Sequence, residues 1–118
     1  MEGPGYYQGR HFTTYVPEVE ELKRTGRLDE AEKLLIELLT AMEAEYLPLA
    51  EYRPLATVAP WYYKELAKLY RKQKDYASEV GILERYASRQ RPDQLDGLHQ
   101  RELSQRLEKA RMLLARQR

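Results

Sequence analysis

Residues 60–76 read Pro60-Trp61-Tyr62-Tyr63-Lys64-Glu65-Leu66-Ala67-Lys68-Leu69-Tyr70-Arg71-Lys72-Gln73-Lys74-Asp75-Tyr76, and this stretch decides the fold. Pro60 suits the first turn of a helix, where its missing N–H is not needed. Trp61, Tyr62, Tyr63, Leu66, Ala67, Leu69 and Tyr70 then cover more than half of a helical circumference, so most of this helix is expected to pack. Lys64, Lys68, Arg71 and Lys72 follow steps of three and four on the remaining side and form one basic stripe. Lys72-Gln73-Lys74-Asp75 reads as a turn, and the next helix is expected from Asp75 to about Arg89. Its inward positions would be Tyr76, Val80, Leu83, Tyr86 and Ala87. Gly81 in its middle costs about 1 kcal/mol relative to alanine, which a close helix–helix contact would offset.

Working upstream, Pro17 marks another helix start, Val19 and Leu22 share a face, and Gly26 stops the helix by supplying a left-handed residue. Leu28, Ala31, Leu35, Leu38, Leu39 and Met42 recur at helical steps, which predicts a second helix from Leu28 to about Glu45. Pro48 and Pro54 oppose its continuation. Leu47, Leu49, Tyr52, Leu55 and Val58 are too apolar for a free linker, so residues 46–59 read either as a packed loop throughout or as one that holds a single helical turn. Residues 1–14, with three glycines and paired tyrosines, read as an N-terminal arm, and residues 15–118 as one helical domain. Downstream, Pro92 breaks the chain. A last helix is expected from Asp96 to Arg116, with Leu103, Leu107, Ala110 and Leu114 on one stripe that caps the stack or pairs with a second subunit. Alternating runs are absent and β-branched residues few. The expected class is all-α.

Two segments share one plan. Tyr15…Leu22…Gly26-Arg27-Leu28…Ala31…Leu35 aligns at every interval with Tyr63…Tyr70…Lys74-Asp75-Tyr76…Glu79…Leu83, at an offset of 48 residues. This pattern resembles the tetratricopeptide repeat, whose aromatic-x-x-Leu-small-x-x-aromatic signature stands here as Tyr63-x-x-Leu66-Ala67-x-x-Tyr70. Glu79 occupies the place where that repeat has a small residue, and Glu18-Val19 stands in place of the Leu-small pair. The run 59–76, with Glu79-Val80-x-Ile82-Leu83-Glu84-Arg85-Tyr86 after it and Arg10-His11-Phe12-Thr13 before it, is similar to runs in little-characterised bacterial repeat proteins. Some of those carry a HIRAN domain, and none is expected within these 118 residues. The resemblance implies two helix–turn–helix hairpins plus a C-terminal capping helix. It also implies that Lys23, Arg24, Trp61, Lys64, Lys68, Arg71 and Lys72 face a ligand groove.

Composition narrows the function. The 118 residues contain no cysteine, which excludes disulfide frameworks, thiolate metal sites and cysteine catalysis. His11 and His99 are too few for a dedicated metal site; His11 is expected to pack or cap locally and His99 to be solvated. Ser78, Ser88 and Ser104 lack a nucleophile elbow, and Gly3, Gly5 and Gly9 precede no strand–helix junction that would cradle phosphate. No catalytic residue, cofactor or metal is expected. The most apolar window, residues 34–42, is interrupted by Glu37 and Thr40, and no basic leader opens the chain. A cytoplasmic protein without a membrane partner is the expectation.

What remains is binding. Clustered cations on a rigid helix suit carboxylates through charge-assisted hydrogen bonds, and tryptophan suits an apolar anchor. The expected function is therefore a protein–protein adaptor taking an acidic peptide or helix on Lys64, Lys68, Arg71 and Lys72, with Trp61 as anchor. Nucleic-acid association through the same face, and a structural homo-oligomer, are the alternatives. The bland reading is that these cations only solvate the outer side of an amphipathic helix. Tyr63, Tyr70, Tyr76 and Tyr86 are expected in the core, while Tyr6, Tyr7, Tyr46 and Tyr52 are expected either to serve an interface or to cover the ends of the helical stack. The formal net charge of +1 is a cancellation: residues 1–60 carry 6 basic and 11 acidic side chains, a net of −5, and residues 61–118 carry 14 and 8, a net of +6.

Overall fold

The computed structural model of the chain describes residues 3–49, 51, 58–90 and 98–117. These residues form an all-α protein with one short strand pair: β1 (Tyr6–Tyr7), β2 (Arg10–His11), a 3-10 turn (Phe12–Tyr15), α1 (Val16–Arg24), α2 (Leu28–Leu49), α3 (Pro60–Lys72), α4 (Tyr76–Ser88) and α5 (Leu98–Arg116). They divide into two compact units, residues 1–62 and 63–118, and the division falls inside α3. Pro60, Trp61 and Tyr62 are uncharged, so the structural division separates the same −5 and +6 as the sequence halves. Tyr52, Pro54 and Leu55 of the expected loop, Pro92, and Asp96 at the expected start of the last helix lie outside the described residues. No helix among the described residues is long and apolar enough to cross a membrane.

The arm at the N-terminus is a hairpin, which the sequence reading did not expect. Gln8 and Gly9 both adopt positive φ, +50° and +82°, as a two-residue turn matched to strand twist requires. Tyr6 then faces His11 and Tyr7 faces Arg10 in antiparallel register. The pair docks on α2 through close polar and aromatic contacts. His11 Nε2 lies 2.9 Å from Glu45 Oε1, while its Nδ1 accepts from the Thr13 N–H and caps the 3-10 turn. Gly5, at φ +89°, lies directly under the Glu45 carboxylate, and a Cβ there would come within 2.8 Å of Oε1. Phe12 is buried between Tyr46 and Tyr62, with ring centroids 6.1 and 5.5 Å away. That apolar setting pushes the Tyr62 phenol up to about 12.

One correction concerns α2. Its helix continues through Pro48 to Leu49, four residues past the expected end at Glu45. Proline removes one hydrogen bond to the residue four back, here Ala44; both residues are exposed, so water can serve that carbonyl. Ala31, Leu35, Leu38, Leu39 and Met42 are buried as the periodicity requires. Val19 of α1 packs into the same core. Each such aliphatic side chain contributes roughly 1.5–3 kcal/mol through burial.

In the second unit Tyr63, Leu66, Ala67, Leu69 and Tyr70 of α3 are buried, as are Leu103 and Ala110 of α5. Tyr63 meets Tyr86 of α4 at 5.1 Å between centroids, and α5 packs along α4. Burial also raises the Tyr86 phenol above its ordinary value. The inward face of α4 differs from the expected one. Glu79, Ile82, Leu83 and Tyr86 are buried, whereas Val80 and Tyr76 are half-buried and Ala87 is exposed. Gly81 is exposed, and a Cβ there would meet nothing within 4 Å, so no close helix contact offsets its cost.

Candidate functional site

The turns that set α1 against α2 and α3 against α4 have one geometry. After α1 the Gly26 N–H donates to the Lys23 carbonyl at 3.1 Å and the Arg27 N–H to Leu22 at 2.9 Å. After α3 the Lys74 N–H donates to Arg71 at 2.9 Å and the Asp75 N–H to Tyr70 at 2.8 Å. Both are Schellman ends, with the left-handed position filled by Gly26 (φ +76°) in one and Lys74 (φ +58°) in the other. Asp75 also caps α4, accepting from the Ser78 N–H at 3.2 Å. These ends fix where the basic side chains of α3 leave the helix.

Those side chains part company. Arg71 turns toward α4, where its Nε donates to Glu79 Oε1 at 3.0 Å and its Nη2 lies 2.8 Å from Oε2. Arg106 of α5 donates to Oε2 at 3.3 Å, and Arg71 Nη2 also donates to the Arg106 carbonyl at 3.1 Å. The Glu79 side chain is 0% exposed, so one buried carboxylate between two guanidiniums ties three helices together. Arg71 is thus occupied by the fold, a destination that the helical wheel did not reveal. The signal was present at Glu79, a charged residue in a position the repeat pattern fills with a small one.

The lysines stay outward. Lys64 pairs with Glu102 of α5, whose carboxyl is held below the usual carboxylate range by the Lys64 ammonium bonded to it. Lys68 reaches Glu65 at 3.2 Å while remaining 46% exposed. Lys72 is exposed and makes no ion pair among the described residues. Lys64, Lys68 and Lys72 therefore form a row at four-residue spacing along α3, with a weak surface pair at Lys64, a pair to the buried Glu65 at Lys68, and no ion pair at Lys72 among the described residues.

The other expected contacts belong to the first unit. Trp61 is half-buried, edge-on to Tyr62 at 4.9 Å. Lys23 lies 3.8 Å from Glu20, and Arg24 is paired with Glu21, whose carboxyl it holds below its ordinary value. A cleft of about 390 Å³ opens between Tyr7, Tyr15, Leu22 and Leu34. Its charged lining residues Glu18, Glu21 and Arg27 are already paired with Arg10, Arg24 and Glu30. His99 is exposed at the start of α5. Among the described residues no group of His, Asp and Glu side chains could hold a metal ion.

Fold and surface together define an all-α protein of paired helices with a cationic row on one of them. Comparison with known proteins finds no matching family model, no matching curated sequence and no matching solved structure.

Proposed function

We propose that this chain is a non-catalytic protein–protein interaction module of tetratricopeptide-like hairpins, and that α3 receives an acidic peptide or helix on Lys64, Lys68 and Lys72. The observation that carries this reading is the division of labour on α3. Arg71 is spent on Glu79, whereas the three lysines are outward and regularly spaced: Lys64 pairs with the part-exposed Glu102, Lys68 spans from the buried Glu65 to solvent, and Lys72 makes no ion pair among the described residues. A partner carboxylate can replace Glu102 at little cost, because exposed pairs are weak, and can join Lys72 and the solvent side of the Lys68 ammonium, which is 46% exposed. Four-residue spacing matches acidic side chains repeated along one face of a helix. Trp61, Lys23 and Arg24 sit in the first unit and are not needed for this contact.

The test is a titration of fluorescein-labelled decaglutamate, with labelled oligothymidylate in parallel, against the full chain and Lys68→Glu/Lys72→Glu. The expected result is peptide binding that weakens with salt and falls at least about tenfold in the variant, roughly 1.4 kcal/mol. Equal peptide binding by both proteins overturns the reading. Binding of oligothymidylate without binding of the peptide replaces it with nucleic-acid association, whose affinity would fall steeply with salt.

A further inference from the structure

The exposed large hydrophobic side chains among the described residues are Ile36 and Leu47 on α2 and Met112 on α5, at 36%, 37% and 49% exposure. On each helix most of the unpaired charges beside them share one sign. On α2, Ile36, Thr40, Ala44 and Leu47 recur at steps of four, four and three, and all four are exposed. Asp29 and Glu37 on the helix and Glu51 just beyond its end accompany them against Lys33 alone, and none of these four makes an ion pair among the described residues. On α5, Met112 is accompanied by Arg101, Lys109 and Arg116 against Glu108 alone, likewise exposed and without ion pairs among the described residues.

We propose that these two faces bind one another between copies of the chain: α2 of one molecule docks on α5 of the next. The occupant is specified by charge. The α2 face belongs to a unit of net −5 and the α5 face to a unit of net +6, so like faces repel and unlike faces attract. Thr40 and Ala44 are small and leave room beside Ile36 and Leu47 for a side chain the size of Met112. Such a contact is heterologous: it uses two different faces, so each added copy leaves one of each unsatisfied. Assembly then proceeds to a ring or an open chain rather than stopping at a two-fold dimer. The α3 lysines take no part, and the inference stands apart from the function proposed above.

Light scattering coupled to size exclusion, over a wide concentration range at low and at high salt, tests it on the full chain. The expected result is a mass that rises with concentration past two copies at low salt and returns to one copy at high salt. Two charge-reversed variants sharpen the result: Asp29→Lys/Glu37→Lys on α2 and Arg101→Glu/Arg116→Glu on α5. Each alone should remain at the mass of a single chain, and mixing them should restore assembly, because every α2–α5 contact in the mixture can again join opposite signs. A single-chain mass at every concentration overturns the proposal. So does a dimer that never grows, or assembly that survives either reversal alone.

Discussion

The α1–α2 and α3–α4 hairpins are built to one plan around different centres. Tyr15 and Tyr63, Val19 and Ala67, Leu35 and Leu83, and Leu38 and Tyr86 are related by the 48-residue offset, and all are buried. The helix ends superpose in hydrogen-bond pattern, Gly26 answering to Lys74. The contrast is at Ala31 and Glu79, both fully buried. The first hairpin fills that place with a methyl group. The second fills it with a carboxylate that must be neutralised, and Arg71 and Arg106 supply the counter-charge. A basic residue of the α3 stripe is thereby diverted from the surface to the interior. The same backbone plan thus accommodates an apolar centre or an ionic one, and the ionic one commits a third helix.

The largest effect should come from making the second centre like the first. Glu79→Ala leaves two partly buried guanidiniums facing each other without a counter-ion, and should cost about 2–4 kcal/mol in urea unfolding followed by circular dichroism. A loss below about 0.5 kcal/mol would mean that the buried pair is not a centre of the unit. Exchange at the turns comes next. Lys74→Gly should add about 1 kcal/mol, because glycine takes the left-handed position without a Cβ penalty, and Gly26→Lys should lose a similar amount. Opposite signs in the two hairpins would confirm that the turns are equivalent; equal signs would break the comparison.

Gly81→Ala should add about 0.5–1 kcal/mol, since the added methyl meets nothing and the helix gains propensity. A loss would reveal a contact that the open surroundings of Gly81 exclude. The smallest effect is a titration. The folded Glu102 carboxyl is depressed below its ordinary 4.5. Any stability it adds is therefore present above that value and disappears as pH falls through the folded value. By carboxyl chemical shift, Lys64→Ala should move the Glu102 midpoint back upward, and saturation of the chain with decaglutamate should move it the same way. An unmoved midpoint in saturated protein would show that Lys64 is not the group the peptide engages.

Much of this was legible from side-chain spacing. The 3.6-residue period located the helices, and the matched intervals around Gly26 and Lys74 foretold two like turns. The strand pair escaped because it has only two residues on each side, too few for alternation to register. Its sign was Gln8-Gly9, a turn dipeptide between Tyr6-Tyr7 and Arg10-His11. Proline misled at Pro48, where an exposed last turn tolerates the missing donor. The face of α4 was drawn through Val80 and Ala87 because a glutamate is a poor candidate for a core. Burial of Glu79 depends on Arg106, 27 residues away, and no local pattern reports that contact.

For the site, spacing placed Lys64, Lys68, Arg71 and Lys72 on one side of a helix and left their destinations open. An arginine is long enough to leave its own face and reach the next helix, so a wheel position does not fix where its charge lies. The separation of Arg71 from the lysines is the claim on which the account of α3 turns. A double-mutant cycle with Arg71→Ala and Glu79→Ala in urea unfolding measures it, with the exposed Arg24–Glu21 pair as reference. A coupling of about 1–3 kcal/mol for Arg71–Glu79, with a clearly smaller one for the surface pair, is the expected result. Equal couplings in the two pairs would contradict it and return Arg71 to the surface stripe.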